Sequence, residues 1–523
     1  MTSTATTDPP RARDAGGAGD ARHRAAWTIW VPALIGGLLL PFAQLQTTVP
    51  LAAWLAPIFL LRFVRTARAR VWLPVLALIM CTAQIVALRG IFPWPEVLIV
   101  GLTGVVGVVP YVADRLVARR LRGLTATLVF PSAAVVTEWL ISLTGLGTLG
   151  STANTFVADV GLRQLVAVTG IWGMIFVVAW VAASVNEAWS TEPTRDDRRR
   201  VRRRVLAPAI ALAVVVLGAG QARAAFDRPA SETVRVAALA ADRTLTEAMD
   251  APSLSEVAAG SAQMRSDARA EFAPATDELL ERTAEVARGG ARIISWAEAA
   301  VFVLAEDSDA LVDRARDLAR TEGVYLQLAA VEVRRTQAHP YAENHAILIG
   351  PDGDVLWDYL KTVHPFGDNE VYEPGPGKVP TVSTPYGVLS TVICYDADFP
   401  ALVRQAGRAG ADILLVPAND WQPIDAMHAQ AAVYRAVENG VTLVRPTGGG
   451  HSVIVNQLGE RLAFADYYAA DRVTVLADAP VRGKDTPYPT LGEAMVVLSG
   501  ALLAMLTLVP LVRRRPASPT GQG

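Results

Sequence analysis

Leu389 to Pro400 reads Leu-Ser-Thr-Val-Ile-Cys-Tyr-Asp-Ala-Asp-Phe-Pro. Leu389 to Ile393 suits a pleated, mostly buried strand, and Pro400 opens a helical segment from Ala401 to Ala409. The thiol of Cys394 therefore stands where a strand ends, a usual place for catalytic groups in α/β folds. Downstream, Ile413 to Pro417, Val441 to Val444 and Ser452 to Val455 read as further strands, with a helix from Asp425 to Asn439. Upstream, Val234 to Leu239, Arg292 to Trp296 and Val324 to Val333 are strands. One or two helices within Glu256 to Arg288, and another from Ser308 to Glu322, separate them. His345 to Ile349 and Val355 to Tyr359 flank Pro351-Asp352-Gly353-Asp354, a hairpin turn signal. Such alternation is the signature of a layered α/β domain.

Outside this domain the chain changes character. It has 523 residues and is 52% hydrophobic, too long for one ordinary domain and too apolar to be wholly soluble. A membrane-crossing helix needs roughly 20 mostly apolar residues. Candidate spans centre on Trp27 to Gln44, Val49 to Leu61, Val71 to Leu88, Glu96 to Val112, Leu124 to Leu143, Gln164 to Val185, Val205 to Gly220 and Leu491 to Val512. The expected organisation is a polar cytoplasmic tail (1–26), a seven-helix membrane domain (27–221), the α/β domain (222–488), a last membrane helix (489–512) and a second cytoplasmic tail (513–523). The first span has no convincing cleavage site after it and reads as a retained anchor.

Arginine sets the orientation. Clusters at Arg11, Arg13, Arg22 and Arg24, at Arg62 to Arg70, at Arg115 to Arg122, at Arg198 to Arg204 and at Arg513 to Arg515 all fall on one side if eight spans are counted. Short basic loops stay in the cytoplasm, so the α/β domain is expected on the opposite, extracytoplasmic face of the membrane. The formal charge of −2 hides this segregation, because the acidic residues concentrate between Asp227 and Asp478. That distribution argues against a nucleic-acid surface. Two cysteines, Cys81 in an apolar stretch and Cys394, give neither a disulfide framework nor a thiolate metal cluster. Glu138, a carboxylate inside an apolar stretch, faces a bundle interior or cavity, or else lies at the interface beside Trp139.

Three ionisable residues end strands: Glu298 after Arg-Ile-Ile-Ser-Trp-Ala, Lys361 after Val-Leu-Trp-Asp-Tyr-Leu, and Cys394. A thiol needs activation to attack a carbonyl at neutral pH. A Glu can take and return its proton, and a Lys can stabilise an oxyanion. Singly, Cys394 would be a small core residue, Lys361 a solvated hairpin residue and Glu298 a helix-start carboxylate. No His is obviously placed to pair with Cys394.

Together they resemble the nitrilase superfamily, whose catalytic residues are Glu, Lys and Cys. The carrying motifs are Ile294-Ser295-Trp296-Ala297-Glu298, Tyr359-Leu360-Lys361 with His364-Pro365-Phe366-Gly367, and Ile393-Cys394-Tyr395-Asp396 with Asp398-Phe399-Pro400. Asn419-Asp420-Trp421, Tyr434 to Gly440 and Val444-Arg445 also match. Several spans, this domain and a final span are together similar to the apolipoprotein N-acyltransferase family, as are Pro131 to Trp139 and Gln164 to Phe176 in the membrane part. The resemblance implies a polytopic helical membrane domain carrying an extracytoplasmic αββα sandwich. It also implies transfer of an acyl chain from a phospholipid, through a Cys394 thioester, to the amine of a diacylglyceryl apolipoprotein, with no metal or organic cofactor.

Departures from the family pattern surround the site. Ala297 stands where Pro is common, and Asp396 where Glu is frequent. The Pro-Phe-Gly run after Lys361 is one residue closer than usual, so the supporting carboxylate is Asp368 or Glu370. The register shift favours Glu370. Tyr395 and Asp396 are expected to support the nucleophile, and Asn419 and Trp421 to line the substrate pocket. Two alternatives remain: a membrane-anchored amidase using the same residues, and a non-enzymatic membrane protein whose external domain binds lipid or peptide.

Overall fold

The computed structural model describes residues 15–190, 195–227, 232–249, 253–365 and 368–512. Arg11, Arg13, Phe366, Gly367 and Arg513 to Arg515 lie outside the described residues, as do the side chains of Arg22, Arg24 and Arg198.

The membrane half is built from α1 (Ala15–Leu39), α2 (Pro50–Thr66), α3 (Ala69–Ala87), α4 (Glu96–Arg120), α5 (Leu124–Ser142), α6 (Ile171–Ser190) and α7 (Arg199–Phe226). Among the described residues five of these, α3 to α7, are long and apolar enough to cross a membrane. Two boundaries differ from the sequence reading. The first helix starts at Ala15, inside the stretch read as a tail. The sixth span is broken: short helices Val160–Arg163 and Val166–Thr169 end at Gly170, whose φ of +61° turns the chain before α6. A side chain at Gly170 would meet the Tyr488 ring at 2.6 Å, so both the turn and the close approach need glycine.

The two ends of this bundle are distinct. At one end Arg65 forks onto Asp114 at 2.8 and 2.9 Å, and Arg115 donates to the Arg65 and Ala67 carbonyls. Arg62 joins them through Ser190 and the Trp189 ring. At the other end, about 25 Å along α2, the loops around Leu45, Arg89 and Thr148 meet the α/β domain.

That domain is a sandwich. The first sheet runs β13-β1-β2-β4-β5-β6, with β3 also on β4; its strands are β1 (Thr233–Ala240), β2 (Ile293–Trp296), β3 (Val301–Leu304), β4 (Tyr325–Val333), β5 (Ala342–Ile349), β6 (Val355–Leu360) and β13 (Val473–Pro480). The second runs β12-β11-β10-β9-β8-β7, made of β7 (Thr381–Thr384), β8 (Gly387–Thr391), β9 (Ile413–Leu415), β10 (Thr442–Arg445), β11 (His451–Val455) and β12 (Arg461–Asp466). Each has a parallel centre and antiparallel flanks. Helices α8 (Ala262–Arg288) and α9 (Ser308–Glu322) cover the first sheet, and α10 (Pro400–Arg408) and α11 (Asp425–Asn439) the second. Strand alternation explains the layering. Ile413 and Leu415 face the first sheet, while Leu414 and Val416 face α10 and α11. Each such fully buried side chain contributes roughly 1.5–3 kcal/mol. The sequence reading missed β3, β7, β12 and β13. Helix α12 (Ala494–Val512) then returns to pack on α5.

Candidate active site

Parallel strands β2 and β8, one in each sheet, end at the same place, which brings Glu298 and Cys394 together. Segment Pro417 to Asn419, beyond β9, ties them. The Cys394 N–H donates to the Pro417 carbonyl at 2.8 Å, and the Asn419 N–H donates to Glu298 Oε2 at 2.9 Å. The Cys394 thiol lies 3.7 Å from the Asn419 carbonyl. Lys361, at the end of β6, places Nζ 2.6 Å from Glu298 Oε1, and Asn344 Nδ2 donates to the same oxygen at 2.8 Å. Glu298, Lys361 and Cys394 are all buried.

This burial decides the charges. Burial and then the Glu298 carboxylate push the Cys394 thiol well above its ordinary value, and the opposing pull of Lys361 does not win. The resting nucleophile is therefore a neutral thiol that needs a base beside it. Burial lowers the Lys361 ammonium, but Glu298 and then Cys394 more than offset it and hold it above its usual range. A permanent cation thus stands against Glu298.

The nucleophile sits on a strained turn. Cys394 has φ +48°, unusual for a residue with a side chain, and opens the 3-10 turn Cys394–Asp398. Asp396, fully buried, fixes this turn to the lysine arm. Its carboxylate accepts from Tyr359 Oη (2.8 Å), the Val363 N–H (2.8 Å), the Ile393 N–H (3.1 Å) and the Thr362 N–H (3.2 Å). Burial raises Asp396 to about 6 despite the Tyr359 hydroxyl and the Val363 N–H. Tyr395 points the other way, donating to the Gly145 carbonyl of the membrane half at 2.8 Å.

Of the two acidic candidates after Lys361, the structure turns Glu370 outward. Glu370 is exposed at the end of the 3-10 turn Asp368–Glu370, where its carbonyl meets the His339 ring at 2.7 Å. Asp368 is half-buried; desolvation raises its carboxyl, and it feels the charges of Lys361 and Glu298. Of the two, Asp368 is thus the one whose carboxyl senses Lys361 and Glu298. Asn419 and Trp421 are both exposed beside the site.

Three features were given no role in the sequence reading. Asn344 is one, and it stands between Glu343 and His345 in the polar first half of β5, where the sequence pattern does not single it out. His364 is buried and stacked on Tyr372 with ring centres 5.6 Å apart, and neither ring nitrogen has a partner among the described residues. Burial and then Lys361 lower it to about 4, so it is neutral. His428 is the third. It lies 2.7 Å from Asp420 and 2.8 Å from Asp398, and Arg445 donates to both Asp420 oxygens at 2.9 and 3.1 Å. Burial lowers His428, but Asp420 and Asp398 override that and raise it to about 9, an imidazolium behind the nucleophile turn. Ligand atoms of Cys394, Asp420 and His428 lie within 4.8 Å of one another. Arg445 and His428 already occupy Asp420, so these donors suit an internal ion network better than a cation. Asp425, His451 and Asp466 form a second, more exposed group of that span.

An apolar cavity of about 660 Å³ opens where the loop after α3 meets the domain, lined by Ile85, Val86, Phe92, Trp94 and Trp421, with Arg89 at its edge.

The two stacked sheets define a carbon-nitrogen hydrolase domain, and the carbon-nitrogen hydrolase family model matches residues 258–481. The apolipoprotein N-acyltransferase of Gloeobacter violaceus is 28% identical over 445 residues, covering 78% of this chain and 76% of that one. That of Rhodopseudomonas palustris is 28% identical over 386 residues, 68% and 67% of the two chains. With that of Haemophilus influenzae the identity is 32% over 154 residues, only 28% of each chain. Over most of its length the chain is thus similar to apolipoprotein N-acyltransferases. Among solved structures, an amidase from Nesterenkonia sp. covers 52% of this chain and 98% of its own at 22% identity, with a TM-score of 0.39.

Proposed function

We propose that the protein transfers a fatty acyl chain from a membrane phospholipid to the α-amine of a diacylglyceryl-cysteine on an apolipoprotein, with Glu298, Lys361 and Cys394 as its catalytic residues. The carrying observation is the single buried cluster in which Glu298 bridges Lys361 and the segment beside Cys394.

Glu298 takes the thiol proton as Sγ attacks the ester carbonyl. Lys361 stabilises the resulting oxyanion. As the C–O bond breaks, Glu298 returns the proton to the leaving alkoxide, releasing lysophospholipid and leaving a thioester. The acceptor amine then attacks, giving its proton to Glu298; the C–S bond breaks, and the thiolate recovers that proton. Asp396 and Tyr395 hold the nucleophile turn, and Asp368 takes the supporting position expected of Glu370. The apolar cavity beside Trp421 offers room for an acyl chain between membrane helices and domain.

Eight passes, counting α1, α2 and α12, put both tails in the cytoplasm and the catalytic domain outside the plasma membrane. The Arg65–Asp114–Arg115 knot at the bundle end remote from the domain supports that orientation.

A purified sample in lipid nanodiscs, given acyl-labelled phospholipid and a diacylglyceryl-cysteine peptide, tests the reading. The label should move to the peptide amine and fail to move with Cys394→Ala. Hydrolysis of a small amide with the peptide left unmodified would replace acyl transfer by the amidase alternative.

A further inference from the structure

The nucleophile turn is gripped from the membrane half, and the grip leads back to one carboxylate. Thr148 donates twice to the Asp398 carbonyl, through its N–H at 2.8 Å and its hydroxyl at 2.9 Å. Tyr395 Oη donates to the Gly145 carbonyl at 2.8 Å. Both ends of the turn that begins at Cys394 are thus bound to the loop after α5. That loop is held in turn by Asn154, whose Nδ2 donates to the Thr148 and Leu149 carbonyls at 3.1 and 2.8 Å. Asn154 lies in the 3-10 turn Thr152–Phe156, capped by Ser151.

Glu138, near the end of α5, closes this chain. Its carboxylate accepts from Ser151 Oγ at 2.6 Å, Thr152 Oγ1 at 2.5 Å and the Thr152 N–H at 3.3 Å. It holds the cap of the turn from which Asn154 reaches Thr148, and Thr148 reaches Asp398. A cysteine at positive φ persists only where its surroundings over-determine it. Asp396 supplies that restraint from inside the domain; Tyr395 and Asp398 supply it from the membrane side.

We propose that Glu138 is a positioning residue for Cys394, acting through Ser151, Asn154 and Thr148, so that the membrane half completes the geometry of the nucleophile as well as anchoring the domain. This rests on Cys394 being the nucleophile, but not on the identity of the acyl donor.

The test uses the full-length protein in nanodiscs with Cys81→Ala as background. It reads the rate of Cys394 alkylation by iodoacetamide, and kcat and KM for acylation of Cys394 by phospholipid. Glu138→Ala should slow alkylation and lower kcat roughly tenfold to a hundredfold, with KM within about twofold of the parent. Glu138→Gln, which keeps an acceptor oxygen for Ser151 or Thr152, should recover a large part of the loss. Thr148→Val, which leaves the Glu138 contacts intact, should give a milder version of the same pattern. The Thr148 variant keeps the proposal testable if Glu138→Ala does not fold. Parent rates of alkylation and kcat in either folded variant overturn the proposal, as does a loss confined to KM. Slowed alkylation without any lipid adduct in the parent would leave the positioning role standing while removing phospholipid as donor.

Discussion

Behind Cys394, His428 is held as a cation by two carboxylates, with a consequence that can be measured. Burial alone would lower its pKa, yet Asp420 and Asp398 raise it from 6.5 to about 9. A histidine that is more basic folded than unfolded stabilises the fold fully below about pH 6.5, and that contribution is lost as pH rises through about 9. The thermal midpoint of the protein should therefore fall between these pH values, and His428→Gln should flatten that dependence while lowering stability on the acid side. An unchanged pH profile in the variant contradicts a charged His428. The sequence hid this residue because its partners are 8 and 30 positions away, and only the close approach of the Cys394 turn to α11 unites them. Glu298, Lys361 and Cys394 each follow a strand-like run, but it was the resemblance to the nitrilase superfamily that joined them into one expected site, and in the structure they lie in one buried cluster. The choice between Asp368 and Glu370 was not legible, since it turns on the direction of a short 3-10 turn that no periodicity encodes.

At the scale of elements, the break at Gly170 shows why apolarity alone misplaces a span. Gln164 to Val185 is apolar enough to read as one helix, yet Gln164 donates to the Leu458 carbonyl of the catalytic domain and accepts from Arg223. Its first turns serve as an interface and only Ile171–Ser190 as a span. Gly170→Ala should cost about 1–3 kcal/mol from the backbone conformation alone, φ +61° with ψ −171° being a region open essentially to glycine, and more from the collision with the Tyr488 ring. Denaturant unfolding followed by tryptophan fluorescence reads this, and parent stability would mean that the turn can relax. Strands β8 and β9 were recoverable because β-rich runs stand between helices. The edge strands β7 and β12 were not: Thr381–Thr384 is short and mostly polar, and Leu462 to Ala465 is a continuous apolar run without the alternation that marks a half-exposed strand.

For the molecule as a whole, the proposed orientation rests on charge and contact together. Arginine-rich loops knot one end of the bundle, and the catalytic domain rests on the other. A reporter active only outside the cytoplasm should work when fused near Gly289, on the exposed rim of the domain, and fail when fused near Arg200. Activity at Arg200 would reverse the orientation. The Cys394 thiol is itself buried and neutral, so a thioester formed on it is shielded from water. Such an intermediate accumulates when the second nucleophile is withheld. Intact-protein mass spectrometry of the purified protein, incubated with phospholipid and no amine acceptor, should then show one fatty-acyl adduct. Neutral hydroxylamine should remove it, Cys394→Ala should abolish it, Glu298→Gln should slow its formation by roughly 10²–10⁴-fold, and Cys81→Ala should leave it intact. An unmodified Cys394 after prolonged incubation, or an adduct that persists in Cys394→Ala, contradicts acyl transfer through this cysteine.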